Sequence, residues 1–225
     1  MKTIILGKES ILSTRLKKNL KNCEAFSTRE IKNVEIVLNR IKKYKKINLI
    51  FNNFYPSKKI GLINENSYGQ FFDQSINFNS KLLSLINKKK INKIIYSSSA
   101  SIYNSISHNY ISTDGFNRKL YASTKINNEN LIYNFCSKNN ISYVIARIFN
   151  LYGSKNDEFS IISKIIECFK KNKLVKIFQG GSNIRDFIHI DDVVKVYAHI
   201  LKNVKKNAVI DVGTGNGSKV IDVVN

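Results

Sequence analysis

The chain has 225 residues, 43% of them hydrophobic, enough for one sizeable core with a small appendage. Its formal charge of +21 invites a nucleic-acid reading, but the lysines are scattered as Lys17-Lys18, Lys42-Lys43, Lys88-Lys89-Lys90 and Lys170-Lys171, mostly at predicted helix ends; they read as a solvated excess with a general attraction for anions. Cys23, Cys136 and Cys168 have no metal-like spacing, so no zinc site is implied, and no apolar run forms a signal peptide or approaches the ~18 residues of a membrane span, so the expectation is a reduced, cytoplasmic protein.

In chain order, Thr3 to Leu6 is an apolar strand, and Gly7 turns the chain into a helix running from about Ser10 to Lys21. A short strand at Glu24 to Phe26, a helix near Val34 to Tyr44 and a buried strand at Ile47 to Phe51 follow, the last running into Asn52-Asn53-Phe54. Pro56, the only proline, marks the next loop, and a helix from about Tyr68 to Asn87 leads to the strand Ile94-Ile95-Tyr96, which runs out into Ser97-Ser98-Ser99-Ala100-Ser101. Asn104 to Leu120 reads as loop, either a substrate-side lid or a plain connection, with a helix opening at Tyr121. Tyr143 to Ile148 is a further strand, and Phe159, Ile162, Ile165, Ile166 and Phe169 trace the apolar face of a helix, read as a core face. Val209-Ile210-Asp211-Val212-Gly213-Thr214-Gly215 imitates a strand entering a nucleotide turn, but too little chain follows to build a sheet on it; it reads as the last strand and turn of a small lobe. Strands alternating with helices predict an α/β fold with a doubly wound parallel sheet.

Tyr121 and Lys125 are four residues apart, hence on one helix face. A cation there favours the phenolate, which acid/base work near neutral pH requires because free tyrosine titrates at about 10. Ligands of an open α/β sheet sit outside the carboxyl ends of its strands, so a serine at the end of the preceding strand would stand beside the pair. Four stretches in this order, SSSASIYN, YASTK, RIFNLYG and RDFIHIDDVV, resemble the extended short-chain dehydrogenase/reductases, in particular the NAD-dependent epimerase/dehydratase family that acts on nucleotide sugars. The resemblance covers almost the whole chain.

It implies a Rossmann-like dinucleotide-binding domain over 1–150 and a reduced substrate-binding lobe over 151–225, with segments interleaved. It implies a catalytic triad of Ser99, Tyr121 and Lys125: Ser99, with Ser98 as the alternative, bonds the reacting oxygen, Tyr121 exchanges a proton with a sugar hydroxyl, and Lys125 holds the ribose and lowers the phenol pKa. Substrate contacts fall to Ser99, Asn150 and Arg185, the last two on a nucleotide diphosphate; the alternative for Arg185 is a surface pair with Asp186. Cofactor contacts fall to Gly7, Ser10, Ile11, Leu12, Arg29, Asn52, Asn53, Tyr121 and Lys125. The family's Gly-x-x-Gly-x-x-Gly turn reads Gly7-Lys8-Glu9-Ser10-Ile11-Leu12-Ser13 here, so Ser10 and Ser13 put side chains where close approach is wanted while offering hydroxyls to phosphate. Asn52 and Asn53 stand where relatives carry small residues, and either Ser75 or Asn77 matches a family Asn near the nicotinamide. Arg29, with no acid after the second strand, leans the cofactor toward NADP over NAD. His189, without a carboxylate or metal partner visible in sequence, reads as structural. The activity implied is an NAD(P)-dependent epimerase, dehydratase or keto-reductase on a nucleotide-activated sugar, with no nucleic acid, no membrane span and a homodimer allowed. The rival is a non-catalytic relative with a degenerate turn; a nucleic-acid-binding module is the third reading.

Overall fold

The apolar strand segments divide by parity, because successive side chains of a strand point to opposite faces. The computed structural model describes residues 1–104, 113–154, 157 and 160–224, leaving aside the side chains of 57, 58, 104, 113, 114, 178 and 179. Its elements are β1 (Lys2–Leu6), α1 (Ile11–Asn19), β2 (Cys23–Phe26), α2 (Asn33–Ile41), β3 (Ile47–Phe51), α3 (Tyr68–Phe72), α4 (Phe78–Leu85), β4 (Ile91–Ser99), α5 (Thr113–Asn139), β5 (Ser142–Ile148), β6 (Asn150–Tyr152), α6 (Ile161–Lys170), β7 (Ile184–His189), α7 (Ile190–Asn203), β8 (Ala208–Val212), β9 (Gly217–Lys219) and α8 (Val220–Val224). Six parallel strands in the order β2-β1-β3-β4-β5-β8 form the main sheet, and β6-β7-β9 a small second one. Ile4, Leu6, Leu49, Phe51, Ile94 and Tyr96 face α2, α4 and α5 through Val34, Val37, Leu82, Ile132 and Cys136. Ile5, Ile50, Ile95 and Val144 face α1 and α7 through Leu16, Val193, Tyr197 and Ile200. With both faces covered, this is the expected doubly wound, Rossmann-like sheet.

The structure departs from three of the expectations. Ala208–Val212 is the edge strand of the main sheet, parallel to β5, and not the end of the lobe. The Gly-rich turn after it is fixed by Asp186, whose carboxylate accepts from Thr214 N (2.9 Å), Thr214 Oγ1 (2.8 Å) and Gly215 N (2.8 Å). A Cβ on Gly213 would stand 2.5 Å from that carboxylate, so this glycine makes room for an anchor and not for a nucleotide. Helix α5 opens at Thr113, eight residues ahead of Tyr121, so much of the expected loop is helical; 105–112, the rest of the lid candidate, lie outside the described residues, as does Phe159. Polar composition hid this part of the helix, where Asn117 is buried and donates to Ile63 O (3.4 Å). Finally, α6 buries only Ile165 and leaves Ile166 and Phe169 exposed, so the apolar stripe is not the core face expected.

The chain crosses over between β1 and β3, and the segments leaving them, Gly7 and Asn52–Phe54, meet there. Gly7 has φ +97°, and a Cβ on it would lie 2.6 Å from Asn52 O and 2.8 Å from Asn53 Cα. Gly7→Ala is therefore expected to lower stability by about 1–3 kcal/mol. A shift of the urea midpoint checks this, and an unchanged midpoint contradicts it.

Candidate active site

Strand β4 ends in three serines that the fold puts to different uses. Ser97 Oγ lies 2.6 Å from Tyr197 OH of α7, while Ser98 Oγ donates to Glu129 Oε1 of α5 (2.5 Å). Ser99 Oγ accepts from Ser101 N (3.2 Å) and stands beside Tyr121, close enough to pull the phenol pKa down. Glu129 also receives Arg147 of β5 at 2.8 and 3.1 Å, and Arg147 Nη1 donates to Tyr103 OH (2.9 Å), which donates to Asp211 (2.7 Å). Neither Glu129 nor Arg147 was singled out from sequence, although Glu129 lies four residues after Lys125, a spacing at which opposite charges meet on a helix.

Lys125 is only 5% exposed. Its ammonium donates to Ser97 O (2.8 Å) and sits 4.4 Å from the Phe54 ring centroid, 5.2 Å from that of Tyr96 and 5.8 Å from that of Tyr121. Burial brings its pKa down to about 7, against the opposite pull of Glu129. The Tyr121 phenol is pushed up by burial, opposed by Ser99. The expected lowering of the phenol by Lys125 is therefore not found: the ammonium is turned to Ser97 O, under Phe54, and is itself partly neutral near pH 7.

At the turn, Ser10 is the N-cap of α1, its Oγ accepting from Ser13 N (3.0 Å). Asn52 Nδ2 donates to Ser10 Oγ (2.5 Å) and Ser13 Oγ (2.8 Å), so the side chains at two glycine positions are knitted together by a third departure from the family pattern. Leu12 puts its side chain into the core, so what it contributes at the turn is backbone N–H. Asn53 turns away from the cleft: it is 1% exposed and donates to Gln74 O (3.2 Å) and Asn79 Oδ1 (2.8 Å). Arg29 is exposed, 3.9 Å from Glu9. Of Ser75 and Asn77, Ser75 is buried in a π-helical turn between α3 and α4 with its carbonyl accepting from Asn128 Nδ2 (2.9 Å), and Asn77 is exposed and pairs with Asp73 (2.9 Å).

A cleft of about 790 Å³ is lined by Ser99, Tyr121, Asn150 and Arg185. An adjoining one of about 700 Å³ shares Arg118, Asn150 and Arg185 and adds Ile11 and Lys176. The structure thus brings together Ser99, Tyr121, Asn150 and Arg185, whereas Lys125, Arg29, Asn52 and Asn53 line neither space. With Asp186 held by the Gly-rich turn, the Arg185–Asp186 pair does not form; Arg185 donates to Ile184 O (2.9 Å) and has no carboxylate partner among the described residues. Asn150 Nδ2 donates to Asp186 O (3.0 Å). His189 caps α7, accepting from Asp191 N (3.3 Å), with the Asp191 carboxylate 3.7 Å away: the partner missed in sequence was two residues on.

An open parallel sheet with a cleft at the carboxyl ends of its strands defines a Rossmann-like protein. The chain belongs to the NAD dependent epimerase/dehydratase family, whose model matches residues 17–213. It is 30% identical over 156 residues to the ADP-L-glycero-D-manno-heptose-6-epimerase of Brachyspira hyodysenteriae, covering 65% of this chain and 48% of that protein. With the dTDP-D-glucose 4,6-dehydratase of Dictyostelium discoideum it shares 27% over 172 residues, 68% of this chain and 40% of the relative. The chain thus spans about half the length, or less, of these curated relatives. Among solved structures, the Thermus thermophilus UDP-glucose 4-epimerase in complex with NAD superposes with a TM-score of 0.79 at 16% identity, over 100% of this chain and 81% of that one. MoeE5 in complex with UDP-glucose and NAD gives 0.76 at 19%, over 100% and 80%. No helix of the described residues is long and apolar enough to cross a membrane.

The Lys125 amine carries a test of its environment. Its folded pKa of about 7 lies below the ordinary 10.5, so between those values the unfolded chain binds more protons than the native one, and this group makes stability rise with pH across that window. Lys125→Met should remove that rise in urea titrations at pH 7, 8.5 and 10; an unchanged pH dependence would mean the amine is not buried.

Proposed function

We propose that the protein is an NAD(P)-dependent epimerase, dehydratase or keto-reductase of a nucleotide-activated sugar, with Ser99, Tyr121 and Lys125 carrying the chemistry. The observation behind this reading is that Ser99 and Tyr121 share one cleft with Asn150 and Arg185. The residues at the turn suit a dinucleotide: the backbone N–H groups of Ile11 and Leu12 open α1 beside Gly7, and the Ser10 hydroxyl, accepting from Asn52 and Ser13, keeps its own proton to donate to phosphate. When bound, a nicotinamide supplies hydride transfer at the sugar carbon. Tyr121 takes the proton of the sugar hydroxyl as that carbon is oxidised and returns it on reduction, with Ser99 hydrogen-bonding the same oxygen. Lys125, once it faces the phenol, holds the ribose and draws the Tyr121 pKa down. Arg185, with Arg118 and Lys176 near it, supplies the planar fork and positive charge that a nucleoside diphosphate takes, and Asn150 adds a donor. Residues 1–150 make up the dinucleotide domain and 151–225 the substrate lobe, with α7 and β8 returning to the main sheet; a cytoplasmic location follows from such substrates.

Tyr121→Phe keeps the ring and removes the moving proton, so turnover should fall by roughly 10² to 10⁴ while cofactor affinity and folding hold. Unchanged turnover of a nucleotide sugar would end the assignment. A second reading, a non-catalytic relative, is favoured by Phe54 lying on Lys125 and by the side chains at Ser10 and Ser13; no turnover from the unmutated protein across a panel of UDP-, dTDP- and ADP-sugars would select it.

Arg29 favours NADP through the 2′-phosphate, with Glu9 as its competitor. Calorimetric titration should give tighter binding of NADP than NAD and loss of the difference in Arg29→Ala. Tighter NAD binding would reverse the assignment.

A further inference from the structure

Phe54 directly follows Asn52 and Asn53 at the end of β3, and its ring covers the amine on which the proposed chemistry depends. The ring centroid is 4.4 Å from Lys125 Nζ and 4.8 Å edge-on from Tyr121, and the ring also meets Phe71 edge-on at 5.8 Å. Ser97 O and the Tyr96 ring take up further sides of the ammonium, so Lys125 is 5% exposed and lines neither part of the cleft. An amine so enclosed has no free approach for a ribose hydroxyl. The Phe54 ring itself is only partly buried, packs against the cluster of Tyr55, Ile63 and Phe71, and follows the end of β3 just before the loop containing Pro56.

We propose that Phe54 is a cofactor-displaced gate: its ring occupies the seat over Lys125 until a dinucleotide enters and takes the ring's place on the ammonium. This rests on the dinucleotide reading of the site given above. The apparent affinity of a cofactor is then its intrinsic affinity reduced by the fraction of molecules with the ring swung out. Because a desolvated cation–ring contact must be given up, removing the ring should tighten dinucleotide binding roughly three- to thirtyfold. The gate also gives the nearby aromatic groups a role: Tyr121 and Phe71 hold the closed ring at its edges.

The test compares the unmutated protein with Phe54→Ala and with Phe54→Leu, which keeps apolar bulk in case the smaller residue destabilises the fold. Two readouts are taken: the rate of reductive methylation of Lys125, followed by peptide mass spectrometry without cofactor, and the dissociation constants of NAD and NADP by calorimetry. The gate predicts faster methylation of Lys125 and tighter dinucleotide binding in Phe54→Ala, with Phe54→Leu between. Unchanged methylation together with unchanged or weaker binding in both variants overturns the gate and leaves the dinucleotide reading standing. Faster methylation with no dinucleotide bound by any of the three proteins overturns both.

Discussion

Taking an ammonium out of water is among the more expensive things a fold can do, and α5 does so with Lys125, one helical turn from Tyr121 at the cleft. Its compensation is modest: one carbonyl, the faces of three aromatic rings, and Glu129 a turn further along the helix. The shortfall shows as an amine titrating near 7, far below an ordinary lysine. Glu129 is buried in turn and needs its own partners, which Ser98 and Arg147 supply from β4 and β5. Arg147 passes the demand to Tyr103 and Tyr103 to Asp211, so a chain of polar contacts runs from Glu129 to the edge strand. The same contacts fix the end of β4, leaving Ser99 to meet Tyr121.

Behind α5 a second set of buried polar groups does the positioning. Asn53 donates to Asn79, Asn79 to Asn128, and Asn128 to the carbonyls of Ser75 and Thr124. All three asparagines are essentially inaccessible, so each amide must find a partner inside the protein. The ladder joins the end of β3, the π-helical turn and the turn of α5 that carries Lys125. Such wide turns recur at functional sites, and here the widened turn brings the Ser75 carbonyl to Asn128.

The main sheet was legible because parallel strands covered on both faces are continuous apolar runs, and Thr3–Leu6, Ile47–Phe51 and Tyr143–Ile148 could be read with little ambiguity. Ser99, Tyr121, Asn150 and Arg185 were legible as motif positions, and the fold assembles them in one cleft. What escaped the sequence was decided by long-range partners. Nothing local shows that Asp186 will bind the Gly213–Gly215 turn and so release Arg185, or that Val209–Val212 will pair with β5. The start of α5 was hidden because its first turns are polar, and polar residues on a helix announce burial only through their partners, as Asn117 does with Ile63. Ser10 and Ser13 looked like damage to a glycine turn; seen with Asn52 they are a capped and cross-linked version of it.

A dinucleotide received at this cross-linked turn is what the proposed chemistry requires above all. Native mass spectrometry of the protein, as purified and after incubation with NAD and NADP together, addresses it without any assumption about the sugar. One dinucleotide per chain, lost in Lys125→Ala, is the result expected; a spectrum of the unliganded chain alone at millimolar concentrations of both would contradict it.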